Sequence, residues 1–211
     1  MAFIFTSALV LGFSGAMMPG SLLTYTIRQA LANGPRAGFV IIFGHAVLEL
    51  ALLFLIFLGF DIVLQSREAQ IGIGIVGGIL LVYMGIDMIR NSLANKVKIE
   101  MDSGGSDSKG LFVSGIVISA ANPYFLLWWA IIGLGFVMRS HQMLGYFGVA
   151  LFFFGHILAD FIWYGLVSTV VGKTRKFIKE GPYRFLIVVL GAMLVFFGGR
   201  FLWDAVTTLI S

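Results

Sequence analysis

The chain is 211 residues long, with 59% hydrophobic and 11% charged side chains, a net charge of +4 and no cysteine. A soluble domain carries about a quarter charged residues, so this much apolar surface needs lipid as its solvent, which excludes most soluble enzymes and any nucleic-acid reader built on a broad basic face. The lack of cysteine removes disulfide frameworks, thiol redox relays and Cys-ligated metal centres, while the 27 glycines suit close helix packing in a membrane.

Apolar runs long enough to cross a bilayer are expected at 3–27, 38–60, 72–89, 111–138, 144–171 and 184–209. Ser14-Gly15-Ala16 in the first run has the look of a signal-peptide cleavage site. No basic segment precedes it, however, and apolar sequence resumes after Pro19, so the run reads as a span. The loop after it carries Arg28 and Arg36. The third loop carries Arg90, Lys96, Lys98 and Lys109, and the fifth Lys173, Arg175, Lys176, Lys179 and Arg184. Basic residues stay on the cytoplasmic side, so the odd loops are expected there and both termini outside, in a multi-pass protein of the cell membrane. The positive charge is then a signal of orientation, and no nucleic-acid partner is expected.

The stretch 95–110, with Ser-Gly-Gly-Ser-Asp-Ser inside it, reads as a flexible cytoplasmic linker. It separates a first three-span unit, 1–94, from a second, 111–211. The units echo each other. Phe43-Gly44-His45-x3-Glu49 matches Phe154-Gly155-His156-x3-Asp160, and Met18-Pro19-Gly20 matches Asn122-Pro123-Tyr124. Gly78-x2-Leu81-Val82-Tyr83-Met84-Gly85 matches Gly191-x2-Leu194-Val195-Phe196-Phe197-Gly198. Three spans per unit is an odd number, so the second copy enters the membrane inverted. The fold expected is all-α, with six transmembrane helices in an inverted 3+3 repeat and helix breaks in spans 1 and 4. Such folds place their site where the broken helices meet, because proline frees a backbone carbonyl and starts a new half-helix. The breaks at Pro19-Gly20 and Asn122-Pro123 are therefore candidate substrate contacts.

Glu49 and Asp160 fall deep in apolar spans, where an ionised carboxylate is costly unless paired or facing water. Residues four apart share a helix face, so His45 can reach Glu49 and His156 can reach Asp160. These four residues are candidates for a proton relay, for a clamp on a substrate ammonium, or for a metal site. Asp87 and Arg200 share one register in the two units, near span ends, and are candidates for a structural ion pair or for interfacial anchors. Trp128, Trp129 and Trp163 lie inside spans, where they could line a cavity, although core packing is the simpler role. His141 sits in an outer loop. Gly74-x3-Gly78 is a close-packing signature, compatible with a homodimer or with packing inside one chain.

Pro19-Gly20, Arg28-Gln29-Ala30-Leu31 and Gly34-Pro35-Arg36-Ala37-Gly38, followed by Asn122-Pro123 and Asp160-x2-Trp163-Tyr164, resemble in order the motifs of the lysine exporter (LysE) family of amino-acid exporters. Ser21, Tyr124 and His45 depart from the family pattern of proline, lysine and aspartate. The resemblance implies export of small amino acids from the cytoplasm, driven by an ion or proton gradient, with no enzyme activity and no cofactor. Counting Glu49, Asp160 and Asp87 against one Arg within the spans favours cationic amino acids. Two other readings compete. One is a divalent metal-cation transporter with His45, Glu49, His156 and Asp160 as ligands. The other is an intramembrane enzyme using the His–acid pairs, for which no nucleophile constellation or metalloprotease signature is present.

Overall fold

The computed structural model describes residues 1–18, 20–60, 62–63, 66–94, 107–177 and 180–210, and among these it is helical throughout with short turns between. The first apolar run does not form one helix. Helix α1 (Ala2–Ala16) stops short of the Met18–Gly20 segment, and α2 (Ser21–Asn33) leaves at 79° to it. Pro19 lies outside the described residues. Gly34 ends α2 at φ 79°, a region open to glycine, and α3 follows at once (Arg36–Leu55), closing in a π-helical turn at Ile56–Phe60. Helix α4 (Arg67–Leu93) starts on a Ser66 cap whose hydroxyl accepts from the Ala69 amide at 3.2 Å.

Most of the expected linker, 95–106, also lies outside the described residues. Its last three positions are already helical, because Asp107 caps α5 (Ser108–Ala120) by accepting from the Gly110 amide at 2.7 Å. The fourth run then breaks as the first does. Asn122 accepts from the Tyr124 amide at 3.2 Å, and Pro123 takes the first position of α6 (Pro123–Trp128), where its missing donor costs nothing.

A π-helical turn at Trp129–Gly133 leads into α7 (Leu134–Thr174). This helix is interrupted at Leu144 and Gly145, the latter at φ 59°. Phe136 and Phe152 stack at 6.4 Å across that point, although sixteen residues of straight helix would hold them about 24 Å apart. The chain therefore folds back there as a helical hairpin. The expected loop at 139–143 is helix, and the turn is two residues long. A 3₁₀ turn at Arg175–Phe177 precedes α8 (Glu180–Ile210).

By length and hydropathy, Arg36–Phe60, Arg67–Leu93, Tyr124–Thr174 and Glu180–Ile210 can cross a membrane, and the bent α1–α2 pair would make a fifth. Large apolar side chains such as Phe54, Tyr83, Phe154 and Phe196 point outward, as lipid solvation allows.

Glycines let the helices touch backbone to backbone. Helices α4 and α8 meet reciprocally: a Cβ on Gly78 would sit 2.8 Å from the Gly198 carbonyl, and one on Gly198 the same distance from that of Gly78. Gly85 and Gly191 repeat the arrangement one level along. Gly74 meets Ala205 of the same chain, so the Gly74-x3-Gly78 signature serves internal packing. Each helix that precedes a break packs on the histidine-bearing helix of the other half. Gly12 of α1 lies against the His156 carbonyl, and Gly155 against that of Phe5. Gly115 of α5 lies against the Ile41 carbonyl, and Gly44 against that of Phe112. The α2–α3 turn is pinned to α7. Ser168 Oγ accepts from the Gly38 amide at 2.9 Å and donates to the Pro35 carbonyl at 2.7 Å, while Arg175 donates to the carbonyls of Leu31 and Ala32, both at 3.1 Å.

Candidate functional site

Both helix breaks and both histidine-bearing helices face one cavity. The cavity has a volume of about 60 Å³. At the first break it is lined by Gly15, Ala16, Met18 and Gly20, and at the second by Asn122, Tyr124 and Phe125. Helix α3 contributes His45 and Glu49, and α7 contributes His156, Asp160 and Tyr164. Leu81, Leu194 and Phe197 of α4 and α8 form an apolar wall. The expected contacts Gly20, His45, Glu49, Asn122, His156 and Asp160 thus converge. Pro123 enters through its backbone place at the start of α6.

Glu49 is the hub. Its side chain is 2% exposed, so its charge needs partners. Three nitrogens converge on Oε1: His156 Nε2 at 3.0 Å, Trp129 Nε1 at 3.1 Å and His45 Nε2 at 3.3 Å. His45 is held from behind by Ser119 Oγ, 2.8 Å from Nδ1. His156 Nε2 is also 3.7 Å from Asp160 Oδ2, beyond hydrogen-bonding range. Its ring stacks on that of Trp128 at 4.6 Å and lies parallel to that of Phe152 at 5.9 Å. Trp128 is turned in its place by a hydrogen bond from its Nε1 to Ser14 Oγ at 3.3 Å.

Two carboxylate oxygens are left over. Glu49 Oε2 and Asp160 Oδ2 are buried and have no hydrogen-bond partner, and neither has His156 Nδ1. Unpaired acceptors of this kind, next to a cavity, are places where a ligand's donors or a cation gain most. Among the described residues, no Lys or Arg lines the cavity. His45, Glu49 and Asp160 each offer a ligand atom, all within 4.8 Å of one another, so these three could hold a metal ion.

The spacing of residues correctly anticipated the His45–Glu49 contact. It paired His156 with Asp160, whereas the shorter contact of His156 crosses to Glu49. Trp128 and Trp129, expected either to pack the core or to line a cavity, do line this one, whereas the contact of the Ser119 side chain with His45 was not anticipated. Ser119 occupies the repeat position of Gly15, just before a break, and that was a usable signal. No sequence pattern marks Trp129. The Asp87–Arg200 ion pair does not form. Arg200 bonds Asp204 one turn along α8 at 3.2 Å, and both are exposed, as is Asp87 on α4. Only two of the three acids counted as buried are therefore at the site.

The LysE type translocator family model matches residues 13–205. The chain is similar to the chemotactic transduction protein ChpE of Pseudomonas aeruginosa, at 22% identity over 82% of this chain and 84% of that one. It is also similar to the "Putative amino acid efflux protein YcgF" of Bacillus subtilis, at 22% identity over 99% of each. No solved structure matches the chain.

Proposed function

The chain belongs to the LysE type translocators, and from this membership, together with the buried polar cavity, we propose that it is a secondary transporter that exports a small amino acid from the cytoplasm. Similarity along its whole length to a protein named for amino acid efflux supports this reading. The observation that carries it is the pair of unpartnered buried oxygens, Glu49 Oε2 and Asp160 Oδ2, beside a cavity between two broken helices.

An amino acid has an ammonium group and a carboxylate, and the cavity has a place for each. The ammonium sits at Asp160 Oδ2 and Glu49 Oε2. The carboxylate sits at the start of α2, whose Gly20 cap provides no side-chain hydrogen bond and whose first amides have no helical partner. The remaining wall of Leu81, Leu194 and Phe197 suits a short or apolar side chain better than a cationic one. With Asp87 away from the site, the count of acids no longer favours a cationic substrate.

The series Ser119, His45, Glu49 and His156, with steps of 2.8, 3.3 and 3.0 Å, serves as the proton relay that couples export to a gradient. The membrane architecture is six spans in an inverted 3+3 repeat, divided as 1–94 and 111–211 with a cytoplasmic linker between. Its odd loops are cytoplasmic and both termini outside. The reciprocal glycine contacts of α4 with α8, and the crossed packing of α1 on α7 and α5 on α3, support that plan.

The test is uptake of labelled threonine, homoserine, lysine and arginine into inside-out vesicles with and without a pH gradient. Gradient-dependent uptake of the neutral pair is expected. Uptake of lysine and arginine alone would overturn the substrate assignment, and uptake of none would overturn the exporter reading.

A further inference from the structure

The donor set of the polar centre also fits a cation other than a substrate ammonium. His45, Glu49 and Asp160 present an imidazole nitrogen and two carboxylates, all buried, with ligand atoms within 4.8 Å of one another. Clustered acids alone would carry little, since exposed ones are common. Here, however, Glu49 Oε2 and Asp160 Oδ2 are shielded from water and have no hydrogen-bond partner, so the cluster has two open acceptor positions. We propose that this centre binds one divalent transition-metal ion, of the zinc or manganese class, through His45, Glu49 Oε2 and Asp160.

With metal–nitrogen and metal–oxygen bonds of about 2.0–2.2 Å in a tetrahedral site, ligand atoms sit about 3.4 Å apart, so separations within 4.8 Å must close by up to about 1.4 Å as the side chains turn onto the ion. A fourth donor is at hand, because His156 Nε2 lies 3.0 Å from Glu49 and 3.7 Å from Asp160. The supporting shell is also in place. Trp129 keeps its hold on Glu49 Oε1 while Oε2 takes the ion, and Ser119 fixes the ring of His45 from its other nitrogen; such outer partners orient metal ligands. The mix of imidazole with carboxylate suits Zn²⁺, Mn²⁺ or Co²⁺ and disfavours Mg²⁺ and Ca²⁺, which take oxygen ligands.

The ion and the proton relay exclude each other. Each imidazole nitrogen that ligates the metal must give up the proton it otherwise presents to Glu49, so binding releases protons. The ion also takes the oxygens proposed for a substrate ammonium. This inference does not depend on the export reading, because it is tested by binding alone and would stand if no amino acid were transported.

The experiment is calorimetric titration of Zn²⁺ into the full-length protein in lipid nanodiscs, prepared without a histidine tag and repeated in two buffers of different protonation enthalpy. Visible absorption of the Co²⁺ form would report the ligand geometry. One site per chain with a dissociation constant of micromolar or tighter is expected, with proton release and no competition from millimolar Mg²⁺. Asp160→Asn and His45→Gln should each weaken binding at least tenfold, and His141→Ala should leave it unchanged. Circular dichroism of the metal-free variants checks that they fold; if one does not, the other and the Co²⁺ spectrum carry the test. Absence of one-to-one binding below about 100 µM, or equal affinity in the folded Asp160→Asn and His45→Gln variants, would overturn the proposal.

Discussion

His156 and Glu49 are 107 residues apart in the chain and 3.0 Å apart in space. Their contact ties α7 to α3 at the floor of the cavity, and it makes Glu49 the shared acceptor of histidines from both halves. A charge buried this deeply is tolerated because three nitrogens surround one of its oxygens, leaving the other for chemistry.

Removing the Asp160 charge should affect substrate binding first. In vesicle uptake, Asp160→Asn should raise the substrate KM roughly 10- to 100-fold, the range expected when a charge-assisted hydrogen bond of about 1.5–3 kcal/mol is lost. Glu49→Gln should instead abolish gradient-driven uptake while the protein still inserts and is recovered intact. Full uptake by both variants would reduce these acids to structural roles.

The supports of the centre should be separable from the centre itself. Trp129→Phe keeps the ring but removes the Nε1 donor to Glu49, and Ser119→Ala removes the partner of His45 Nδ1. Each leaves a buried group without its hydrogen bond, costing about 1–3 kcal/mol. Thermal melts in detergent should show both as destabilised, and uptake should fall severalfold without disappearing.

Close helix contacts predict a contrast between two glycines. At Gly44 any side chain meets the backbone of Phe112, whereas at Gly135 a Cβ has nothing within 4 Å. Gly44→Val should destabilise by about 1–3 kcal/mol or more, as overpacking does. Gly135→Ala should be neutral or raise stability by up to about 1 kcal/mol through helix propensity. Melting temperatures of the two variants measured side by side would decide this.

Arg175 holds the last carbonyls of α2 from across the molecule. Arg175→Ala should free that end of the helix, speeding hydrogen exchange at 30–36 while leaving exchange in α4 and α8 unchanged. Uniform acceleration across the chain would mean that the contact supports global stability instead.

Much of the helical plan was legible because apolar runs and proline breaks are written locally. Pro123 marks the start of α6, and the four-residue spacing of His45 and Glu49 fixes their common face before any tertiary structure is known. The turn at Leu144–Gly145 was misplaced, because Arg139, Ser140 and His141 have loop-like polarity yet occupy helix. Polar side chains cost little where a helix leaves the apolar zone, so polarity there does not locate the turn. The paired register of Asp87 and Arg200 suggested a bond, but Asp204 lies one turn from Arg200 on the same helix and needs no tertiary coincidence. The shared role of Glu49 was not legible at all. It depends on how α3 and α7 approach, which is set by the contacts of Gly44 and Gly155 with α5 and α1.

The two indoles at the cavity give the site its own optical signal. Trp129 donates to the hub carboxylate, and Trp128 lies face to face with an imidazole. An excited indole is sensitive to nearby charge and to proton donors, so loading the centre, emptying it or shifting its protons should each change emission without any attached dye. The other two tryptophans stand apart from the cavity lining and can be replaced by Phe to clear the background. The transport cycle could then be followed by light in the unlabelled protein.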